Sequence, residues 1–142
     1  MTMLNRRETL ILGGAAVAVA ALPMTASADT AAMDAAIAEF TGGADMADTG
    51  ITLTAPEIAE NGNTVPIEVD APGATEILVV AEGNPTPGVA KFTFGPLAAQ
   101  QYAATRIRLA GTQNVVAVAK LSDGTFAKAS KEVKVTIGGC GG

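Results

Sequence analysis

The only cysteine of this 142-residue chain, Cys140, stands in the run Gly138-Gly139-Cys140-Gly141-Gly142. Glycine has no side chain and visits both signs of φ at little cost, so the flanking glycines favour mobility and leave the sulfur without steric neighbours. A structural cysteine is placed in the opposite way, among apolar neighbours. Fully extended, the chain carries Cys140 roughly 10 Å beyond Ile137, at about 3.3–3.6 Å per residue. That reach is enough to enter the active site of another protein. One cysteine forms no internal disulfide, so its thiol is free, bonded to another chain, or carrying a covalent group. We therefore assign covalent attachment to Cys140 and arm flexibility to Gly138, Gly139, Gly141 and Gly142. The plain alternative is a frayed end that happens to contain a cysteine. Prenylation does not fit, because it needs a cysteine four residues from the end and this one is third.

Little else in the sequence could do chemistry. Histidine and tryptophan are absent, which excludes histidine general-base catalysis and histidine metal ligation. The carboxylates are dispersed and make no metal site, and no glycine-rich phosphate loop, dinucleotide fingerprint or serine elbow occurs. No cofactor is expected. Without a second, resolving cysteine the chain is a poor thiol–disulfide enzyme.

The first 28 residues read as an export signal. Asn5-Arg6-Arg7-Glu8-Thr9-Leu10 precedes an apolar stretch from Leu10 to Leu22, and Ala26-Ser27-Ala28 supplies a small-residue cleavage site. Thirteen apolar-stretch residues are too few to span a bilayer, which takes about 20, so no membrane anchor is expected in the mature form. The adjacent Arg6 and Arg7 point to the twin-arginine route, although Asn5 and Thr9 stand where Ser/Thr and Phe are usual. That route moves folded proteins, and a partner subunit without its own signal could travel along. Removal of the signal takes away Arg6, Arg7 and Glu8, leaving seven basic and thirteen acidic side chains, a net charge of −6. Such a surface repels nucleic acid and anionic membranes.

The elements that must position the thiol follow from periodicity. Residues 31–40 place Met33, Ile37 and Phe40 at helical spacing, and Gly42-Gly43 ends the segment, so a short helix packed on the domain or on a partner is expected. Residues 44–50 read as a loop. Val65, Ile67 and Val69 alternate with Pro66, Glu68 and Asp70, a half-buried strand that Pro66 assigns to an edge. The continuous apolar run Glu76–Ala81 predicts a strand covered on both faces, as does Val115–Leu121. Lys91–Phe94 and Arg106–Leu109 predict strands with one wet face, on which Arg106 and Arg108 are solvated. Asp123-Gly124 signals a hairpin into Thr125–Ala129, and a last strand, Glu132–Ile137, is expected to bury Val133, Val135 and Ile137. Two adjacent fully apolar strands and a modest core also predict that another subunit covers one sheet face.

About seven short strands with turn signals predict an all-β fold, an immunoglobulin-like antiparallel β-sandwich with a short N-terminal helix and a flexible Gly-rich C-terminal tail. A barrel is the second choice. The expected organisation is a twin-arginine-type signal peptide over 1–28, a short helix and loop over 29–50, the sandwich over 51–137, and a mobile tail over 138–142.

With these segments in view, the chain resembles the SoxY family of sulfur-substrate carriers. The resemblance rests on Ala55-Pro56-Glu57-Ile58-Ala59-Glu60-Asn61-Gly62, the Glu82-Gly83-Asn84-Pro85-Thr86-Pro87 turn, the Thr105-Arg106-Ile107-Arg108-Leu109-Ala110 strand and the terminal GGCGG. It implies a non-enzymatic periplasmic protein that forms a heterodimer with a SoxZ-like subunit and carries sulfur intermediates on Cys140 during thiosulfate oxidation. It also implies transient docking to three enzymes. A c-type cytochrome of SoxAX type attaches thiosulfate, a SoxB-like hydrolase releases sulfate, and a SoxCD-like molybdenum-haem enzyme, where present, oxidises the remaining sulfane. The tail offers neither a helix N-terminus nor a close cation, with Lys134 the nearest basic residue in sequence, so Cys140 is expected to be activated inside each partner. The competing reading is an exported immunoglobulin-like adhesion or structural module whose tail makes an intermolecular disulfide.

Overall fold

The computed structural model describes residues 28–138, so the export signal with Arg6 and Arg7, and Gly139, Cys140, Gly141 and Gly142, lie outside the described residues. Helix α1 (Ala28–Thr41) is longer than the apolar spacing alone predicted. It stops at Gly42 and Gly43, whose φ values of 66° and 81° lie in the left-handed region that closes helices without a Cβ penalty. The Gly43 N–H, just beyond the helix, donates to Thr41 Oγ1 at 3.2 Å.

Nine strands follow among the described residues: β1 (Met46–Ala47), β2 (Thr52–Thr54), β3 (Ile58–Ala59), β4 (Val65–Asp70), β5 (Ala74–Ala81), β6 (Gly88–Thr93), β7 (Tyr102–Ile107), β8 (Gln113–Leu121) and β9 (Phe126–Val135). They form two sheets, one ordered β1-β9-β8-β5-β6 with β3 also on β9, the other ordered β2-β4-β7. This is the expected immunoglobulin-like sandwich. Its long pairings are antiparallel, whereas the two-residue strands β1 and β3 lie parallel to β9.

The core sits between the sheets. Val65, Ile67 and Val69 of β4 face Ile77 and Val79 of β5, Val115 and Ala117 of β8 and Val133 of β9 in one buried cluster. Full burial of each Val or Ile contributes about 1.5–3 kcal/mol relative to exposure. The other faces of β5 and β8 carry Leu78, Val80, Val116 and Val118, which pack with Phe126 against Met33, Ile37 and Phe40 of α1. The Phe40 and Phe126 rings meet edge to face with centroids 5.9 Å apart. The apolar runs are thus covered on both faces, as expected, and the cover over β5 and β8 is helix α1 of the same chain.

Four local expectations need correction. Strand β4 is central in its sheet, not an edge; Pro66 is tolerated because β2 pairs only with Glu68–Asp70 and leaves one side of β4 free at Pro66. Residues 44–50 are not wholly a loop, since Met46 and Ala47 pair with Phe126 and Ala127. The two strands expected at 125–129 and 132–137 are one, because Ser130 and Lys131 keep the ladder through backbone pairing with Val116 and Val115. Finally, β9 ends at Val135 and the chain leaves the sheet, so Ile137 is 66 % exposed rather than buried.

Candidate functional site

The described chain ends where the Gly-rich segment begins, and three separate pieces of backbone hold it there. The Lys134 N–H donates to the Glu57 carbonyl at 2.9 Å and the Thr136 N–H to the Ala59 carbonyl at 3.1 Å, so β3 guides the chain past the end of β9. The Thr136 hydroxyl adds a bond to the Glu60 carbonyl at 3.0 Å. One residue on, the Ile137 carbonyl accepts from the Gly62 N–H at 2.8 Å. The Asn61–Gly62 turn that presents this amide is closed by Asn61 Oδ1, which accepts from the Asn63 N–H at 2.9 Å.

The opposite wall is the segment between β7 and β8. The Gly62 carbonyl accepts from the Leu109 N–H at 2.7 Å, so one glycine bonds both walls. Thr112 Oγ1 accepts from the Val135 N–H at 2.9 Å. Gly138 then passes directly against Ala110: a Cβ built on it would lie 2.5 Å from the Ala110 carbonyl oxygen, a separation that real Cβ atoms do not show.

A polar cluster holds the backbone on either side of that carbonyl. Asn84 spans the turn, donating through Nδ2 to the Arg108 carbonyl at 2.7 Å and accepting at Oδ1 from the Ala110 N–H at 2.9 Å. Gln113, buried at 8 % exposure, donates through Nε2 to Asn84 Oδ1 at 3.1 Å and to the Gly111 carbonyl at 3.0 Å. Its Oε1 accepts from the Gly83 N–H at 2.8 Å. Among the described residues no buried side-chain nitrogen or oxygen lacks a partner. Gln113 is the buried member of this cluster, so removal of its partners would strand a buried amide.

Of the residues singled out in the sequence, Gly138 is the one at this site that the structure describes. Its glycine is demanded by close approach to Ala110, a requirement separate from flexibility. Cys140, Gly139, Gly141 and Gly142 lie outside the described residues, as do Arg6 and Arg7. Arg106, Arg108 and Lys134 are exposed, as their alternation predicted. Asn84, Gln113, Gly62 and Thr112 were not assigned a role from sequence. The signal that could have found Gln113 is an amide opening an otherwise apolar strand; Asn84 carried none beyond its place in a Pro-rich turn. No group of three or more His, Cys, Asp or Glu able to hold a metal occurs among the described residues, and no described helix is long and apolar enough to cross a membrane. The described part therefore offers a mount whose last residue, Gly138, precedes Cys140 by two positions in the sequence.

Comparison with known proteins places this mount in a family. Residues 37–140 match the sequence profile of the family described as sulfur oxidation protein SoxY. The sulfur carrier protein SoxY from Chlorobium limicola f. thiosulfatophilum, whose structure is known, is 39 % identical, with a TM-score of 0.63 over 76 % of this chain and 99 % of that one. Superoxide reductase (neelaredoxin) from Ignicoccus hospitalis is 19 % identical with a TM-score of 0.54, over 61 % of this chain and 80 % of that one, a likeness of fold alone. No curated protein sequence matches significantly. The family match spans most of the chain and takes in the mount, Gly138, Gly139 and Cys140: the chain belongs to the SoxY sulfur oxidation protein family.

Proposed function

We propose that this protein is a covalent carrier of sulfur intermediates in thiosulfate oxidation, loaded on Cys140 at the tip of a short glycine arm. The observation that carries the reading is that the family match runs to residue 140, so it includes the only cysteine of the chain. The mount described above supports it, since a rigid base and a slim tip suit delivery of one thiol to several active sites. The protein itself is not an enzyme. It works as one subunit of a heterodimer with a SoxZ-like partner, in the periplasm, after twin-arginine export. It docks in turn to SoxAX-, SoxB- and SoxCD-like enzymes.

The chemistry balances with one thiol on this chain, a cytochrome as electron acceptor and water. The Cys140 thiolate forms an S–S bond to the terminal sulfur of thiosulfate, and the two electrons released pass to the c-type cytochrome, leaving a protein-bound S-thiosulfonate. Water then attacks the sulfonate sulfur and the S–S bond to it breaks. Sulfate leaves with two protons released, and a persulfide anion remains on Cys140. Thiolate rather than thiol is the attacking species, and a free cysteine has a pKa of about 8.5, so each partner site gains by supplying a cation near the sulfur.

The test is Cys140→Ser in the native host. The variant folds and binds its partner but does not support thiosulfate-dependent respiration; normal oxidation rates with serine would sink the carrier reading.

A further inference from the structure

We propose that Gly138 is the fixed pivot of the carrier arm and that Asn84 is a positioning residue that sets where the pivot sits, an inference that rests on the carrier reading above. The argument starts from the backbone. Thr136 and Ile137 are bonded to Ala59, Glu60 and Gly62, so both are fixed to the sandwich. A Cβ on Gly138 would lie 2.5 Å from the Ala110 carbonyl oxygen, so the position has no room for one. The last residues that the sandwich holds are therefore Thr136, Ile137 and Gly138. Two residues at about 3.3–3.6 Å each place the Cys140 Cα no more than roughly 7 Å from the Gly138 Cα, shorter than the reach counted from Ile137.

A short arm makes the direction of its base matter. With so small a radius, a shift of the pivot by an ångström or two moves the sulfur out of a docked active site, and the arm cannot compensate by extending. Rate is sensitive to such displacement, because misplacement of a reacting group by about 1 Å can cost on the order of 10²-fold. The pivot rests on the Ala110 carbonyl, and Ala110 is held by its own N–H bond to Asn84 Oδ1, with Asn84 Nδ2 holding the Arg108 carbonyl two residues earlier. Asn84 thus grips the two ends of the three-residue piece on which Gly138 lies. Gln113 fixes Asn84 in turn through its Nε2 bond. Asparagine is needed because one end must accept and the other donate. Aspartate keeps the acceptor but has no donor for the Arg108 carbonyl.

The experiment uses the mature chain in complex with its partner subunit, added to a periplasmic extract from a strain whose only carrier is Cys140→Ser. Three quantities are read for wild type, Asn84→Ala, Asn84→Asp and Gly138→Ala. These are kcat for thiosulfate-dependent cytochrome reduction, the alkylation rate of Cys140 by iodoacetamide, and the nitroxide–nitroxide distance distribution between Cys140 and a label at Ser130→Cys on β9. The pivot predicts a fall in kcat of about tenfold in Asn84→Ala and Gly138→Ala, a smaller fall in Asn84→Asp, a broadened distance distribution, and alkylation within about twofold of wild type. Loss of stability alone does not produce that split, and Gly138 lies beyond the last strand, so its variant reads the pivot even where Asn84→Ala unfolds. Wild-type kcat or an unbroadened distribution in Gly138→Ala overturns the pivot. Turnover supported by Cys140→Ser itself overturns the carrier reading instead, and the distance distribution still decides the pivot.

Discussion

The Gly62 N–H donates to the Ile137 carbonyl at 2.8 Å, while the Gly62 carbonyl accepts from the Leu109 N–H at 2.7 Å. One turn residue thereby ties the exit of β9 to the segment between β7 and β8, and the Gly-rich run leaves from a bracket rather than from a loose strand end. Hydrogen exchange checks this directly. Amides in bonded, buried backbone exchange through local opening, so the Gly62 and Leu109 amides should exchange at least about tenfold more slowly than the amide of Leu97, which stands exposed in the β6–β7 loop. Equal rates would mean the bracket opens freely.

Stability should discriminate between two isoleucines that look alike in sequence. Ile37 is 9 % exposed and packs with Val80, Val116, Val118 and Phe126, so Ile37→Ala should cost about 2–4 kcal/mol through lost burial and a residual cavity. Ile137 stands 66 % exposed, and Ile137→Ala should stay within about 0.5 kcal/mol. Urea unfolding of both variants measures the contrast.

The β8–β9 hairpin carries a pH-dependent contribution. Asp123 Oδ1 accepts from Thr125 Oγ1 at 2.6 Å and from the Thr125 N–H at 2.9 Å, and these bonds, the hydroxyl's first, hold its carboxyl below the usual carboxylate range. A lowered folded-state pKa stabilises the fold above the unfolded value, and the contribution is lost as pH falls through the folded value. The melting temperature of Asp123→Ala should lie below that of wild type at pH 6, and the gap should shrink as pH drops below about 4. A gap that widens in acid would reverse the assignment.

Much of the scaffold was legible because its periodicities are clean. Val65, Ile67 and Val69 are buried at every second position, and the runs Ile77–Val80 and Val115–Ala119 are covered on both faces. What covers them was not legible, since apolarity marks a face for burial without naming the partner. Ile137 was misassigned because alternation continues one step past the point where pairing stops. The bracket was invisible for a different reason. Asn84 and Ala110, or Gly62 and Ile137, are brought together by sheet topology, and nothing in their spacing along the chain records it. The Gly138–Cys140 run drew notice for its composition, yet the space that demands glycine at Gly138 appears only once Ala110 is placed beside it.

The residues around the thiol should matter for slimness rather than for folding. Gly139→Leu or Gly141→Leu sets a branched side chain beside Cys140 and restricts φ. Loading and turnover by the partner enzymes should fall about tenfold, with the alkylation rate and melting temperature nearly unchanged. Full turnover in both variants would remove the narrow-channel requirement.

The central claim is tested most directly on the sulfur itself. Trypsin cleavage after Lys134 releases a peptide that begins at Val135 and contains Cys140. Protein purified from cells oxidising thiosulfate should yield this peptide partly as persulfide and S-thiosulfonate adducts on Cys140, both removed by a phosphine reductant and both absent from cells grown without reduced sulfur. A peptide found only as free thiol, or only as a disulfide to another chain, under thiosulfate-oxidising growth would contradict the carrier account.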